Sequence, residues 1–194
     1  MRLLVRRDLA VYGLPMTWTE GLHLVDIGFT CFELDSREKI ACIFGKDKIL
    51  QNRFLEFWAK GFKGITWGKE NEWISYAWMS LPETFGPPHL PRHIQRLPVY
   101  WIFYCRTKEE YRGRGLYKAS LSILCHWARE RDPKAEIYID TEPDNLPSRK
   151  AVEDVGFLPA GIITTWTLNL PKLRWIIIRG QWNKDADHSE VFLR

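Results

Sequence analysis

Residues 99–107, VYWIFYCRT, form a nearly unbroken apolar run that ends in a basic loop with two glycines and then in a segment of helical periodicity. A strand this apolar has no polar face to offer water, so it belongs inside a sheet with both faces covered. From Leu116 to Glu130, apolar residues at Leu116, Ala119, Ile123, Leu124 and Trp127 mark one face of a helix packed on that sheet, and Pro133 ends it. A second unit of the same kind follows. AEIYIDT (135–141) reads as another buried strand and EPDN as a turn. Asn145 then caps a helix with Pro147 in its first turn, Ala151, Val152 and Val155 on its inner face, and Gly156 at its C-terminal end. FLPAGIITTWTLNL and LRWIIIRG read as a closing antiparallel pair, and NKDADHSE as a polar tail.

The N-terminal half carries weaker signals. FTCFELDS (29–36) suggests an early strand, and the segment 47–62 places Ile49, Leu50, Phe54, Phe57 and Trp58 on one helix face, with Gly61 and Gly64 as stops. GITWGKENEWISYAWMS predicts an antiparallel hairpin around the polar turn KENE. Residues 81–98 hold five prolines with a cluster of His and Arg, so they predict a loop or insertion. It is long enough to be a substrate lid, and a plain proline-rich connector is the other reading. Strands with two helices inserted among them predict a mixed α/β fold, α+β in its mixed sheet and not doubly wound, as one domain over 1–194. The 45% hydrophobic content supplies a core for it, and the ten tryptophans read first as core and second as an aromatic-lined pocket.

Other classes find little support. A net charge of +4 with acidic residues scattered through the basic stretches (KGFKGITWGK, PRHIQR) weighs against a nucleic-acid partner. Cys31, Cys42, Cys105 and Cys125 show no CxxC spacing and no histidine at metal-ligand spacing, so reduced thiols and no metal are expected. The start, MRLLVRRDL, is too short and charged for a signal-peptide core, and no run approaches a membrane span. The expected compartment is the cytoplasm, with no membrane partner.

The chemistry lies in the hinge EYRGRGLY. Gly113 and Gly115 let backbone N–H groups turn toward one point and let a ligand approach without a Cβ in the way. The helix beyond aims its free donors and partial positive charge at the same point, and Arg112, Arg114 and Lys118 add full charges. The combination suits a diphosphate. It is not a P-loop, because G-x-x-x-x-G-K-[ST] is absent. A dinucleotide fingerprint would need glycine where Lys118 stands, and Asp140 sits on the next strand only by common spacing.

EYRGRGLY instead resembles the pyrophosphate loop of the GNAT superfamily of acyl-CoA-dependent N-acyltransferases, [Q/R]-x-x-G-x-[G/A], which joins the family's fourth strand to its third helix. Arg112 and Gly115 sit on the first two fixed positions, and Tyr117 stands where Gly or Ala is usual. TEPDNLPSRKAVEDVGF resembles the later motif, N-x-x-S/A followed by a helix and a Gly-Phe pair, through Asn145, Ser148, Gly156 and Phe157. The shared order covers residues 98–168.

The resemblance implies a GNAT-like fold whose fourth and fifth strands splay apart, with 98–194 as the acyl-CoA half and 1–97 as the acceptor half. It implies acetyl-CoA (or another acyl-CoA) as co-substrate and direct attack by a primary amine, with no metal. Backbone groups near Cys105 and Thr107 would pair with the pantetheine arm. Amides from Arg112 through Gly113, Arg114, Gly115, Leu116 and Tyr117 to Lys118 would hold the pyrophosphate. Asn145 and Ser148 would lie beside the thioester. The tyrosine by which many members protonate the leaving thiolate is Val152 here, and a glutamate base used by some falls in the region of Val99 and Tyr100. Glu142, Ser148 and Tyr104 remain local candidates for catalysis; Tyr138 is another tyrosine nearby. Phe54, Phe57, Trp58, Trp67, Trp73, Trp78 and the proline-rich loop would line the acceptor side. His89 and His93 read as surface histidines near it. The acceptor would be a small-molecule or peptide amine, and a homodimer is compatible with the chain. Two alternatives stay open: an acyl carrier protein as donor, and a domain that binds acyl-CoA without turnover.

Overall fold

The computed structural model describes residues 4–19, 28–69, 72–168 and 176–191. In chain order the elements are β1 (Leu4–Gly13), β2 (Thr30–Glu33), α1 (Arg37–Phe44), α2 (Lys48–Ala59), β3 (Lys63–Lys69), β4 (Glu72–Ser80) and α3 (Arg92–Gln95). There follow β5 (Tyr100–Thr107), α4 (Leu116–Arg131), β6 (Ile137–Thr141), α5 (Leu146–Asp154), β7 (Leu158–Leu168) and β8 (Ile176–Asn183). The eight described strands make one sheet in the order β2-β3-β4-β5-β6-β1-β7-β8. Every pairing is antiparallel except β5 with β6. The mixed α/β fold follows, with the apolar run 99–107 at its centre. The middle of the KENE turn and the start of LRWIIIRG fall outside the described residues.

Local signals explain most boundaries. The Ser36 hydroxyl accepts the Lys39 N–H at 3.2 Å to cap α1, and Asp47 Oδ1 accepts the Leu50 N–H at 3.0 Å to cap α2. Gly61, at φ +77°, takes the left-handed turn that ends α2. Asn145 Oδ1 accepts the Ser148 N–H at 3.3 Å, so the expected cap on α5 is present.

Two apolar layers cover the sheet. One joins β5 and β6 to α4 and α5 through Tyr100, Ile102, Ile137, Ile139, Leu121, Leu124, Val152 and Val155. On α4 the seam runs along Leu121, Leu124, Cys125 and Ala128, while Ile123 and Trp127, expected at its centre, are half-buried. Small residues at 125 and 128 let the helix approach the sheet closely, and that rotates the larger side chains to the flanks. The opposite layer holds α1, α2 and the aromatic rings Phe44, Phe54, Phe57, Tyr76, Trp78 and Trp101. Among the tryptophans, Trp67, Trp78 and Trp101 are core residues, and Trp18, Trp58, Trp73, Trp127 and Trp182 pack against the core partly buried.

Three features depart from the sequence expectation. The N-terminal segment is strand β1, inserted between β6 and β7 and buried from Leu9 to Tyr12. The proline-rich segment docks on the sheet: Leu90 and Ile94 are core residues, and Pro91 sits so close to β8 that a Cβ on Gly180 would fall 2.1 Å from its ring. The polar tail folds back, because His188 is only 5% exposed and its Nε2–H lies 2.9 Å from the Val11 carbonyl and 3.0 Å from that of Gly161. Val11 lies where the β1–β7 register slips between Ala10 and Tyr12, so His188 gives its buried carbonyl a partner. Among the described residues no helix is long and apolar enough to cross a membrane.

Candidate functional site

The site begins where β5 and β6 part. Tyr100, Trp101 and Ile102 pair with Ile137, Tyr138 and Ile139, and there the parallel ladder stops although both strands continue. Against β4, the register slips so that Arg106 opposes Tyr76 while Phe103 opposes Trp78. This bulge inserts one extra residue, and Tyr104 takes a positive φ of 50° to accommodate it. The alternation of faces inverts there. Phe103 and Tyr104 both pack toward the aromatic layer, whereas Ile102 and Cys105 pack toward α4 and α5. The bulge thus puts Cys105 and Tyr104 on the two faces of one slot through the sheet.

On the helix side, the chain leaves β5 through a single 3₁₀ turn and enters α4 through two glycines in left-handed conformation, Gly113 (φ 76°) and Gly115 (φ 78°). The first helical bond of α4 is the Ala119 N–H to the Gly115 carbonyl. Among the described residues the amides of 113–118 donate to no backbone carbonyl. A Cβ built on Gly113 meets nothing within 4 Å, so the ground above these amides is open. Arg112 turns its Nε back onto the Thr107 carbonyl at 3.4 Å, and Arg114 lies over the Tyr111 ring at 5.5 Å. Neither has a carboxylate partner among the described residues, whereas Lys118 pairs with Asp154 at 3.4 Å. Free amides, an aligned helix and two uncompensated guanidinium groups fit a diphosphate.

Deeper in the slot, Tyr117 reaches across from α4 to α5, where its hydroxyl meets Ser148 Oγ at 3.2 Å. Burial raises the Tyr117 pKa, the nearby Cys105 adds to this, and the Ser148 hydrogen bond works against it, so the phenol stays neutral. Burial likewise pushes the Cys105 thiol up to about 12. A neutral buried thiol is a poor nucleophile. Thr107 is tied to β4 through its Oγ1, 2.8 Å from Ser75 Oγ. Asn145 is committed to the cap of α5. Val152 is fully buried in the apolar layer and has no proton to give.

The opposite face holds the other candidates. The Tyr104 hydroxyl accepts a hydrogen bond from Arg53 Nη1 at 2.9 Å. Glu142 is held by Arg7, which donates to it through both Nε and Nη2. Sequence reasoning missed two residues here. Asp140, one position past the last β5–β6 rung, receives Trp101 Nε1–H at 2.7 Å, and His89 Nε2 sits 3.0 and 3.1 Å from its two oxygens. Burial opposes the Asp140 charge, but His89, Trp101 and Arg7 outweigh it and hold the carboxyl below its usual range. His89, read as a surface histidine, is thus a fixed partner. The structure brings Cys105, Tyr117 and Ser148 together on one side of the slot, and Tyr104 and Asp140 on the other. Glu142 stands at the end of β6, engaged with Arg7. Among the described residues no cluster of three or more His, Cys, Asp or Glu stands close enough to share a metal.

Residues 30–157 match the model of the acetyltransferase (GNAT) family. A Drosophila protein of known structure is 11% identical, with 86% of this chain and 52% of that one covered and a TM-score of 0.63. A GNAT-family acetyltransferase from Colwellia psychrerythraea is 12% identical over 85% of this chain and 57% of that one, with a TM-score of 0.57. An aminoglycoside N-acetyltransferase in complex with CoA is 16% identical over 77% and 98% of the two chains, with a TM-score of 0.50. At these identities the likeness is one of fold. The chain spans a little over half the length of the first two. A comparison with curated protein sequences found no match.

Proposed function

Since the chain belongs to the GNAT acetyltransferase family, we propose that it is an acyltransferase that transfers an acetyl group from acetyl-CoA to a primary amine by direct attack. The observation that carries this reading is the slot between β5 and β6 with free amides 113–118 at its end. The pyrophosphate would rest on those amides, with Arg112 and Arg114 supplying charge. The pantetheine would run into the slot past Cys105 toward Ser148 and Asn145. The thioester carbonyl would then be polarised by backbone N–H groups that the strands leave unpaired where they part.

Direct attack is favoured over an acyl-enzyme because the one thiol in the slot, Cys105, is held protonated by burial. The proton for the leaving thiolate needs a source other than Val152. Tyr117 supports that role: it occupies the family's Gly/Ala position, stays neutral, and carries its hydroxyl to Ser148 at the mouth of α5. A small-molecule or peptide amine would approach from the face that carries Tyr104 and Asp140, between the α1–α2 cover and the docked proline-rich segment.

The reading is tested by thiol release from acetyl-CoA in the presence of ethanolamine, tyramine, spermidine, glucosamine and alanyl-alanine, with CoA affinity measured in parallel. Amine-dependent thiol release with saturable CoA binding is expected. CoA binding without thiol release would favour a binding domain, and failure to bind CoA would remove the donor assignment.

A further inference from the structure

The acceptor face contains a pair that the donor chemistry does not use. Asp140 is 8% exposed and would be a costly place for a charge without partners, yet it has three: the His89 imidazole, the Trp101 indole and the field of Arg7. His89 comes from the proline-rich segment, fifty-one residues away in sequence, and its ring is 29% exposed. The segment that delivers it is anchored immediately after His89, by Leu90 in the core and by Pro91 against Gly180. With the carboxylate ionised, Nε2 carries the hydrogen and donates it to Asp140, and the network assigns the lone pair to Nδ1. Nδ1 has no partner among the described residues. An imidazole held by a buried carboxylate at one nitrogen and free at the other is arranged to take a proton. Its place is equally specific. Asp140 lies at the first position beyond the paired rungs, where the slot opens, and its charge is felt at both Cys105 and Tyr117 on the far face.

We propose that His89 is the general base of the transfer reaction and that Asp140 is its positioning residue; this rests on the acetyltransferase reading above. An amine arrives as R–NH3+. It gives one proton to His89 Nδ1, and the freed lone pair forms the C–N bond with the thioester carbonyl carbon as the C–S bond breaks. The nitrogen then sheds a second proton. One proton leaves His89 for solvent through the exposed ring edge, and one ends on the CoA sulfur, so the sum is amide, CoA thiol and a released proton. The indole of Trp101 holds Asp140 in place by its 2.7 Å hydrogen bond, and the charge of Arg7 favours the ionised carboxylate. The carboxylate also favours a cationic acceptor over a neutral one, because it faces the side from which the acceptor comes.

The test compares wild type, His89→Ala, His89→Gln and Asp140→Asn, using acetyl-CoA and those amines of the panel above that wild type acetylates. His89→Ala is expected to lower kcat about 100-fold, with KM for acetyl-CoA and CoA affinity unchanged. Added imidazole should restore part of the lost turnover in His89→Ala and not in His89→Gln, whose side chain fills the space. Asp140→Asn should lower kcat about tenfold at unchanged acetyl-CoA KM. Unchanged CoA affinity in either His89 variant shows that the fold is intact. Wild-type turnover in His89→Ala, or a loss without imidazole rescue, would overturn the proposal while leaving the transferase reading in place. A wild type that binds CoA and acetylates none of the amines would overturn both, in favour of a domain that binds acyl-CoA without turnover. A wild type that fails to bind CoA would overturn the transferase reading itself.

Discussion

Replacing Gly115 with valine is expected to weaken acetyl-CoA binding about 100-fold while the chain still folds. Gly115 caps α4 at φ 78° and ψ −3°, a conformation that costs a residue with a Cβ roughly 1–2 kcal/mol and a β-branched one more. Relaxing that strain turns the peptide units on either side, and with them the N–H groups that α4 presents. Hydrogen bonds to a charged group are worth about 1.5–3 kcal/mol each, so misaiming one or two of them accounts for the expected loss. Gly113 provides the internal comparison. A Cβ there meets no atom of the protein within 4 Å, but at φ 76° alanine carries the same kind of backbone strain, so alanine at 113 combines that strain with filling the open ground the ligand would occupy. Calorimetric titration with CoA measures the effect, and thermal unfolding checks the fold. Unchanged affinity in Gly115→Val would remove the cradle from this loop.

The largest effect on stability is expected at Phe54. Its ring is fully buried and lies 4.6 Å from Phe44, 4.9 Å from Tyr76, 5.2 Å from Trp78 and 6.1 Å from Tyr104, centroid to centroid. Phe54→Ala is expected to cost about 3–5 kcal/mol, and to lower Tm by on the order of 10 °C for a chain of this size. The same ring backs Tyr104 at the bulge, so the KM for an accepted amine should rise more than CoA affinity falls. Scanning calorimetry gives the first number and amine-dependent thiol release the second. A loss below about 1 kcal/mol would mean that these rings do not form one packed wall.

What could be read from the sequence was local. The strand 99–107, the glycine hinge, the cap at Asn145 and the hairpin 64–80 are set by residues within a few positions of one another, and each appears where expected, although burial of the strand ends at Phe103 and Arg106 is exposed. β1 escaped notice because Arg6, Arg7 and Asp8 interrupt its apolar pattern. Its outer half is solvent-facing, and its burial from Leu9 onward depends on β6 and β7, far later in the chain. α1 is eight residues long and exposes Cys42, too short and mixed to show a face. The tail reads as polar because its two anchors, Ala186 and His188, are separated by charge, and what holds His188 is a pair of carbonyls.

The site divides in the same way. The donor loop is a contiguous motif and could be found. The acceptor face is assembled by a one-residue bulge at Tyr104 and by a loop that carries His89 to Asp140. Neither leaves a periodic trace. The departures from the family pattern, Tyr117 and Val152, were visible as letters. Their relation needed geometry: Tyr117 brings a hydroxyl from α4 to the slot, beside the α5 helix where Val152 has none.

The central claim is that acetyl-CoA lies in the slot between β5 and β6 with its pyrophosphate on the loop 113–118. A crystal structure of the protein with acetyl-CoA tests it most directly. The account predicts pyrophosphate oxygens within hydrogen-bond distance of the Gly113–Lys118 amides, and a sulfur between Cys105 and Ser148 within reach of the Tyr117 hydroxyl. A pyrophosphate bound elsewhere, or a pantetheine that passes outside the slot, would contradict it.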